Sequence, residues 1–140
     1  IAGYRAINQV FAESFEDPES YAEAPPGDDW AAAWLANPNH IALIAEAGGE
    51  AVGALTAYVL PKFEQARNEV YLYDLAVLER ARRQGVATAL IDHLRATARE
   101  IGAWIIFVQA DTIPEDEPAR ALYRSLACDE ITALHFDIAP

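Results

Sequence analysis

Residues 68–101 read NEVYLYDLAVLERARRQGVATALIDHLRATAREI and predict a strand, a short basic loop and a long helix. The aromatic, branched and long apolar residues from Tyr71 to Val77 are typical of a buried strand. Apolar residues then recur at helical spacing from Val86 to Ile101, and Gly102 follows as a stop signal. A strand that leads through a glycine-containing loop to a helix N-terminus favours a bound anion, because free N–H groups and the helix dipole point toward it.

The loop has the spacing Arg82-x-x-Gly85-x-Ala87. It lacks the Gly-Lys-Ser/Thr of the Walker phosphate loop and the three glycines of the dinucleotide fingerprint. It resembles the pyrophosphate-binding signature Arg/Gln-x-x-Gly-x-Gly/Ala of the GNAT N-acetyltransferase superfamily, which binds acetyl-coenzyme A mainly through backbone amides. The alternative is a solvated basic turn that caps an ordinary helix.

Length and composition place further limits on the protein. With 140 residues, of which 53% are hydrophobic, we expect a single folded domain over residues 1–140. No apolar run reaches the roughly 18 residues that span a membrane, and no basic-then-apolar signal pattern begins the chain. The sequence contains no methionine, so we expect that it does not begin at its natural start. The single cysteine, Cys128, excludes an internal disulfide and favours a reducing, cytoplasmic setting.

The distribution of charge indicates the kind of partner. The net charge is −12, and three of the ten basic residues lie within 80–83. Acidic residues concentrate at 13–29 and 111–117, so one small basic site is set in an acidic surface. Nucleic acid is not expected as a partner, because it needs broad basic patches. A cationic substrate would be attracted, although the alternative is that the acidic residues only keep the protein in solution.

The chain around the central unit reads as alternating helices and strands. Gly48 and Gly49 predict a hairpin, and Gly53 marks a bulge or a close approach. The strand at 104–110 is expected to lie parallel to the one at 68–77, with the helix at 84–101 as crossover. Helices are predicted over 1–15, from Asp28 or Asp29 and from Pro118, and further strands over 40–46, 51–60 and 131–138.

This order of elements is similar to that of a GNAT domain without its first strand. The resemblance implies an α/β (α+β) fold, in which helices flank a mixed central sheet with splayed parallel strands. Several segments resemble the aminoglycoside 3-N-acetyltransferase (gentamicin acetyltransferase) family more closely than the superfamily: 52–67, with its run YVLPKFEQAR, then 73–77, 82–91, 108–111, 121–123 and 135–138. The loop 111–118 is about two residues longer than in that family, and Leu126-Ala127-Cys128 replaces its usual Leu-Gly. The resemblance implies acetylation of the 3-amine of a gentamicin-type drug, and hence antibiotic resistance.

The resemblance also implies residues for the cofactor. Backbone amides in the loop would bind the pyrophosphate of acetyl-coenzyme A, with charge added by Arg82 or Arg83. The pantetheine arm would pair with the backbone at Leu75 and Val77, and an N–H near Leu75 or Ala76 would face the thioester oxygen. The loop residues assigned to the cofactor are Arg82, Arg83, Gln84, Gly85, Val86, Ala87 and Thr88.

Two residues are candidates for the chemistry. Asp74 is a carboxylate in an apolar strand, and it would hold or deprotonate the acceptor amine; the alternative is a structural pair with an arginine. Tyr123 occupies a helix position where the superfamily often has a tyrosine that protonates the departing thiolate; the alternative is a core tyrosine. The candidate substrate-binding residues are Tyr73, Asp74, Asp111, Glu115, Asp116, Glu117, Asp137, Glu16 and Asp17.

Other functions are left open by the sequence. A second enzyme hypothesis is an acetyltransferase for another polyamine or for a protein amine, and a third is a non-catalytic module that binds acyl-coenzyme A. No His, Cys or Asp spacing indicates a metal site. Neither nucleic acid nor a membrane is an expected partner, and a homodimer is left open.

Overall fold

Four strands form one mixed sheet in the computed structural model, which describes all 140 residues. Their order in the sheet follows their order in the chain. β1 pairs with β2 and β2 with β3, both antiparallel, and β4 is the outer neighbour of β3. The strands are β1 (His40–Ala47), β2 (Glu50–Pro61), β3 (Asn68–Val77) and β4 (Ala103–Val108).

Four α-helices accompany the sheet, and the predicted positions of all four are confirmed. None of them is long and apolar enough to cross a membrane. The helices are α1 (Ala2–Ser14), α2 (Asp28–Ala36), α3 (Val86–Glu100) and α4 (Glu117–Leu126). Short helical turns occur at Glu19–Glu23, Glu79–Ala81 and Pro114–Asp116.

The chain divides before the last residue of β4 into two compact units, Ile1–Phe107 and Val108–Pro140. In the first unit, α1 and α3 cover opposite faces of the sheet. Ala54 of β2 packs in the core cluster of α1 with Phe11, whereas a Cβ on the adjacent Gly53 would lie 2.8 Å from Val86 of α3. Successive residues of a strand point to opposite faces, so the two contacts define an α1 face and an α3 face.

The predicted turn at Gly48 and Gly49 is confirmed, and so is the predicted bulge or close approach at Gly53. Gly48 and Gly49 join β1 to β2 with φ of +60° and +82°, the left-handed values that a tight primed turn requires. The register shifts by one residue between Ala45 and Glu46, next to Gly53, and Gly53 is also the point of close approach to α3. A side chain at this position would hold the helix away from the sheet.

The predicted last strand at 131–138 is wrong. Residues 127–140 of the second unit form no regular secondary structure. The alternation of apolar residues is that of a strand, but a strand also needs a neighbouring backbone for its N–H and C=O groups. In this chain the segment has no strand partner.

Candidate active site

A β-bulge in β3 determines which face of the sheet carries Asp74. Leu72 lies opposite Ala57, but Asp74 lies opposite Thr56, so Tyr73 is an extra residue between the two pairs. Cross-strand partners share a face, and Ala57 and Thr56 point to opposite faces. Asp74 therefore points to the α1 face, whereas Leu72 points to the α3 face. Bulges commonly redirect a side chain in this way next to functional sites.

The α1 face of the sheet has a small open cavity with Asp74 in its wall. Phe11 of α1 is fully buried, and Asp74 is half-buried beside a lining that is mainly aromatic. Within the first unit, the cavity is lined by Tyr4, Ile7, Asn8, Phe11, Tyr21, Trp34, Ala42, Thr56, Tyr58, Tyr73 and Asp74. Such a site suits an ammonium group, because aromatic faces attract cations and the carboxylate supplies a full opposite charge.

The aromatic rings of the cavity hold one another in place. Tyr58 contacts Tyr73 edge to face at a centroid distance of 5.5 Å, and it contacts Trp34 in the same way at 6.0 Å. His40 stacks on Trp34 at 4.5 Å, and its Nδ1 lies 2.8 Å from the Trp34 carbonyl oxygen. These contacts limit the rotation of the lining side chains, so the cavity keeps its shape.

Two ionisable groups of the cavity have pKa values that burial raises. Burial raises the pKa of Asp74 above its usual range. Burial, and then the nearby Asp74 and Asp17 carboxylates and Tyr73, raise the pKa of Tyr21 to about 12. A cation bound in the cavity would stabilise the ionised form of Asp74 and lower both pKa values.

The predicted phosphate loop ends in an uncapped helix N-terminus. The first backbone hydrogen bond of α3 runs from the N–H of Ala89 to the carbonyl oxygen of Gly85, and no side chain caps the helix. The N–H groups of Val86, Ala87 and Thr88 are therefore free of helical acceptors. They are placed to donate hydrogen bonds to the phosphate oxygens of a nucleotide-like cofactor.

Two residues of this loop adopt left-handed backbone conformations. Gly85 has φ of +78°, and a Cβ on it would meet nothing within 4 Å. Arg83 has φ of +63°, which is uncommon for a residue with a side chain. The glycine therefore serves the turn, and the space beside it is open for a ligand.

The arginines of the loop have different roles. Arg82 donates from Nε to the carbonyl oxygen of Val77 at 3.0 Å. Arg80 forms ion pairs with Glu13 at 3.6 Å and Glu50 at 3.3 Å. The side chain of Gln84 donates to the carbonyl oxygen of Arg80. Because the side chains of Arg82 and Gln84 are bonded to the protein, only their backbone groups are left for the predicted cofactor contacts. Arg83, which is exposed, is the better source of charge for a phosphate.

The remaining sequence-predicted cofactor residues lie in β3. Leu75 lies opposite Leu55, and Ala76 lies opposite Ala54 in the core cluster of α1. The carbonyl oxygen of Val77 accepts the bond from Arg82. Pairing of this backbone with a pantetheine arm stays a prediction.

The acidic residues predicted for the substrate fall into separate groups. Asp17 influences Tyr21 electrostatically and accepts a bond from the N–H of Ser20 at 3.1 Å, while Glu16 has a left-handed φ of +53°. In the second unit, Asp116 accepts from the N–H of Asp111 at 3.3 Å. Also in that unit, Glu117 pairs with Arg120 at 2.7 Å and Asp137 lies 2.7 Å from His135, while Glu115 is exposed. Their role in substrate binding stays a prediction, as does that of Tyr123, which is half-buried in α4.

Sequence reasoning missed most of the cavity lining. Tyr58 has a detectable signal, because the hairpin register places it opposite Tyr71. Tyr21 has none, since it follows an acidic loop and belongs to an isolated π-helical turn, Glu19–Glu23. No group of three or more His, Cys, Asp or Glu residues has the arrangement of a metal site.

Solved structures of similar sequence share this fold. One is an aminoglycoside acetyltransferase from an uncultured soil metagenomic sample, which is 47% identical, with a TM-score of 0.96 over 99% of this chain and 91% of that one. Another aminoglycoside acetyltransferase from such a sample, in complex with sisomicin, is 29% identical, with a TM-score of 0.88 over 96% of this chain and 86% of that one.

A curated protein and a family model that match this chain are also acetyltransferases. The L-2,4-diaminobutyric acid acetyltransferase of Shouchella clausii is 31% identical over 85 residues, which is 61% of this chain. The chain spans 45% of the length of that relative. The model of the acetyltransferase (GNAT) family matches residues 4–127, which include α1, the bulged strand and the phosphate loop. The chain belongs to the GNAT acetyltransferase family, whose acetyl donor is acetyl-coenzyme A.

Proposed function

We propose that the protein transfers the acetyl group of acetyl-coenzyme A to the 3-amine of a gentamicin-type aminoglycoside, which would give resistance to the drug. The observation that carries the proposal is the position of Asp74. The bulge at Tyr73 brings its half-buried carboxylate into an aromatic cavity, where burial alone raises its pKa. A protonated amine is the ligand that relieves a buried carboxylate of this kind.

Asp74 would act on the acceptor amine in two ways. It would first attract and orient the ammonium group, with the rings of Tyr58 and Tyr73 at the sides of the cavity. It would then accept the proton that the amine nitrogen must lose as the new N–C bond forms. The raised pKa makes Asp74 a stronger base than an ordinary aspartate.

The loop before α3 supports the proposal that the protein binds acetyl-coenzyme A as the acetyl donor. The free N–H groups of Val86, Ala87 and Thr88 would hold the pyrophosphate, and Arg83 would add charge. Acetyl-coenzyme A supplies an activated thioester, whose C–S bond breaks as the amine is acylated. Tyr123 is proposed to give its proton to the departing sulfur.

The choice of an aminoglycoside rests on the solved relatives and on the resemblance of 58–67 to the gentamicin acetyltransferase family. A 47% identical protein and a 29% identical protein are both aminoglycoside acetyltransferases, and the second binds sisomicin. The net charge of −12 suits a drug with several positive charges.

Product analysis tests the proposal. We expect purified protein, acetyl-coenzyme A and gentamicin to give a mono-acetylated drug by mass spectrometry, with NMR placing the acetyl group on the 3-amine. Acetylation at a different amine would retain the enzyme class and refute the assigned position. An unmodified drug would refute the substrate.

A small diamine is the second candidate substrate. The observation that favours it is the 31% identity with a diaminobutyrate acetyltransferase. We expect kcat/KM for gentamicin to exceed that for 2,4-diaminobutyrate, because the acidic surface adds attraction only for a larger polycation. The opposite order would move the assignment to the diamine.

A further inference from the structure

The cavity beside Asp74 offers few hydrogen-bond acceptors to a ligand that carries several N–H groups. Of its eleven lining residues six are aromatic, and the other polar side chains are Asp74, Asn8 and Thr56. A primary ammonium group has three N–H donors, and each donor that leaves water without finding an acceptor costs free energy. An ammonium ion that carries methyl groups in place of these hydrogens needs fewer acceptors, so it matches this wall better.

The size of the cavity also favours a bulkier cation. Its volume is about 120 Å³. A water molecule, which is close in size to an ammonium group, takes up about 30 Å³ in the liquid. A bare ammonium group would leave space for water, and a buried water needs several polar partners of its own. A trimethylammonium group fills more of the space, and it does so with apolar surface.

Aromatic rings surround the position that a cation held by Asp74 would take. Trp34 contacts Tyr58 edge to face, and Tyr58 contacts Tyr73, the residue directly before Asp74, in the same way. Burial and then the Asp74 carboxylate raise the pKa of Tyr21 to about 12, so the charge of Asp74 also acts on this ring. A carboxylate among aromatic rings is the arrangement that recognises quaternary ammonium ions, whose charge is spread over their methyl groups.

We propose that this cavity binds quaternary ammonium ions of the size of choline, with the positive charge beside Asp74 and the methyl groups against the aromatic rings. The inference rests on the proposed function in taking the cavity as the site of the acceptor amine. A quaternary nitrogen has no lone pair and no N–H to lose, so it cannot be acetylated. The ion is therefore a dead-end ligand that competes with the amine and leaves the cofactor loop free.

Selectivity distinguishes this recognition from general attraction to an acidic protein. The net charge of −12 attracts every monovalent cation to a similar extent. The aromatic rings add attraction only for a cation that fits against them, and Asp74 adds it only for a charged ligand. A preference for a methylated ion over an unmethylated one, and over an uncharged one of the same shape, is therefore the property to measure.

Two relatives of choline test that preference by calorimetry at constant ionic strength. Ethanolamine has the charge without the methyl groups. The neutral analogue 3,3-dimethylbutan-1-ol has the shape without the charge, since a tert-butyl group replaces the trimethylammonium group. We expect choline to bind with a Kd of about 1 mM or less, and about 10-fold or more tightly than either relative. No saturable binding of choline, or equal affinity for choline and either relative, would overturn the inference.

Substitutions at Tyr73 test the contribution of an aromatic ring. This side chain is 56% exposed, so its replacement leaves the core intact. Tyr73→Leu keeps apolar surface but removes the ring, so choline affinity should fall by about 2- to 5-fold, while that for the neutral analogue changes little. Tyr73→Phe retains the ring and should bind choline as the wild type does. Equal loss of choline affinity in both variants, or in neither, would overturn the role of the ring.

The charge of Asp74 is tested separately. Asp74→Asn should weaken choline binding by about 10-fold or more and leave the neutral analogue unaffected. Asp92→Asn removes the same charge from an exposed position on α3 and should not change either affinity. Circular dichroism checks that both variants are folded. Choline affinity that is unchanged in Asp74→Asn would place the ion outside the cavity and refute the inference.

Inhibition kinetics separate this inference from the proposed function. Choline should inhibit acetylation of gentamicin competitively with the drug but not with acetyl-coenzyme A. Acetylation that choline does not inhibit would overturn the inference and leave the proposed function in place. Choline binding that depends on Asp74 and Tyr73, in a protein that does not acetylate gentamicin, would refute the proposed substrate and support the ligand class inferred for the cavity.

Discussion

Asp74 lies directly opposite Thr56 in the ladder between β2 and β3, one position out of step with the pairing of the residues before it. If the ladder continued without a bulge, Tyr73 would pair with Thr56 and Asp74 would lie opposite Leu55, on the face that packs against α3. A carboxylate there would be a buried charge in the core. The bulge turns it instead into the aromatic cavity, where it is available to a cation.

The first prediction concerns the charge of that carboxylate. Asp74→Asn keeps the shape of the side chain but removes its charge, so we expect kcat/KM to fall by about 10²- to 10⁴-fold. In the wild type, kcat/KM should rise with pH through the raised pKa of Asp74, and this limb should disappear in the variant. Coenzyme A affinity, measured by calorimetry, should be unchanged. Asp92→Asn, an exposed carboxylate on α3, serves as control and should retain full activity.

The same substitution should stabilise the fold. A pKa that is raised in the folded state means that the folded protein binds the proton more tightly than the unfolded chain does. Stability is therefore greatest below the ordinary pKa of aspartate and falls as the pH rises through the raised pKa. At neutral pH we expect Asp74→Asn to raise the free energy of unfolding by about 1 kcal/mol or less, because water still reaches the group. Urea unfolding at several pH values measures this. A variant as pH-dependent as the wild type would contradict it.

Gly85 offers a matched pair of substitutions at the cofactor loop. Asparagine tolerates the left-handed conformation better than most residues, so Gly85→Asn should fold with a modest loss of stability. Gly85→Asp has almost the same size but puts a negative charge where phosphate is expected, so it should bind coenzyme A at least about 10-fold more weakly than Gly85→Asn. Calorimetry compares the two, and equal affinities would place the phosphate elsewhere.

Substitutions at Gly53 test how closely α3 packs against the sheet. A Cβ at this position would lie 2.8 Å from the side chain of Val86, so Gly53→Ala should cost about 1–3 kcal/mol in the free energy of unfolding. Adding Val86→Ala should restore part of this loss, because it removes the clashing methyl group. Gly3→Ala is the control, since its Cβ would lie an ordinary 3.6 Å from Ile44. Additive effects of the two substitutions would mean that the clash is relieved in another way.

Tyr123 is predicted to protonate the departing thiolate. Tyr123→Phe removes only the hydroxyl, so we expect turnover to fall by about 10²- to 10⁴-fold, while the affinity for coenzyme A and the melting temperature change little. Steady-state kinetics with the thiol product measured directly give the effect. Full turnover in the variant would leave Tyr123 with a packing role.

The start of α3 was predictable from the sequence because its signals are local. A glycine at the turn, basic residues before it and apolar periodicity after it all act over a few positions, so the predicted helix start at 84 lies within two residues of the observed start of α3 at Val86. The hairpin at Gly48 and Gly49 was predictable for the same reason, because only glycine combines two successive left-handed conformations at low cost.

Features that depend on distant backbones were not predictable. The bulge at Tyr73 results from the register between β3 and β2. The alternation of side chains in the sequence of β3 does not indicate where one extra residue is inserted. The cavity joins Tyr21, Trp34 and Tyr58 from three separate elements. The segment 131–138 shows the reverse case, because its local pattern is that of a strand but no strand forms there.

The bonds of Arg80 and Arg82 have a consequence for kinetics. Arg80 ties the basic loop to α1 and β2 through Glu13 and Glu50, and Arg82 ties it to Val77 and the hydroxyl of Ser14. The loop thus keeps its conformation through contacts that no cofactor supplies, so little ordering remains to be done on binding. Association of coenzyme A would then proceed in a single exponential phase, with a rate that increases linearly with ligand concentration and reaches no conformational plateau.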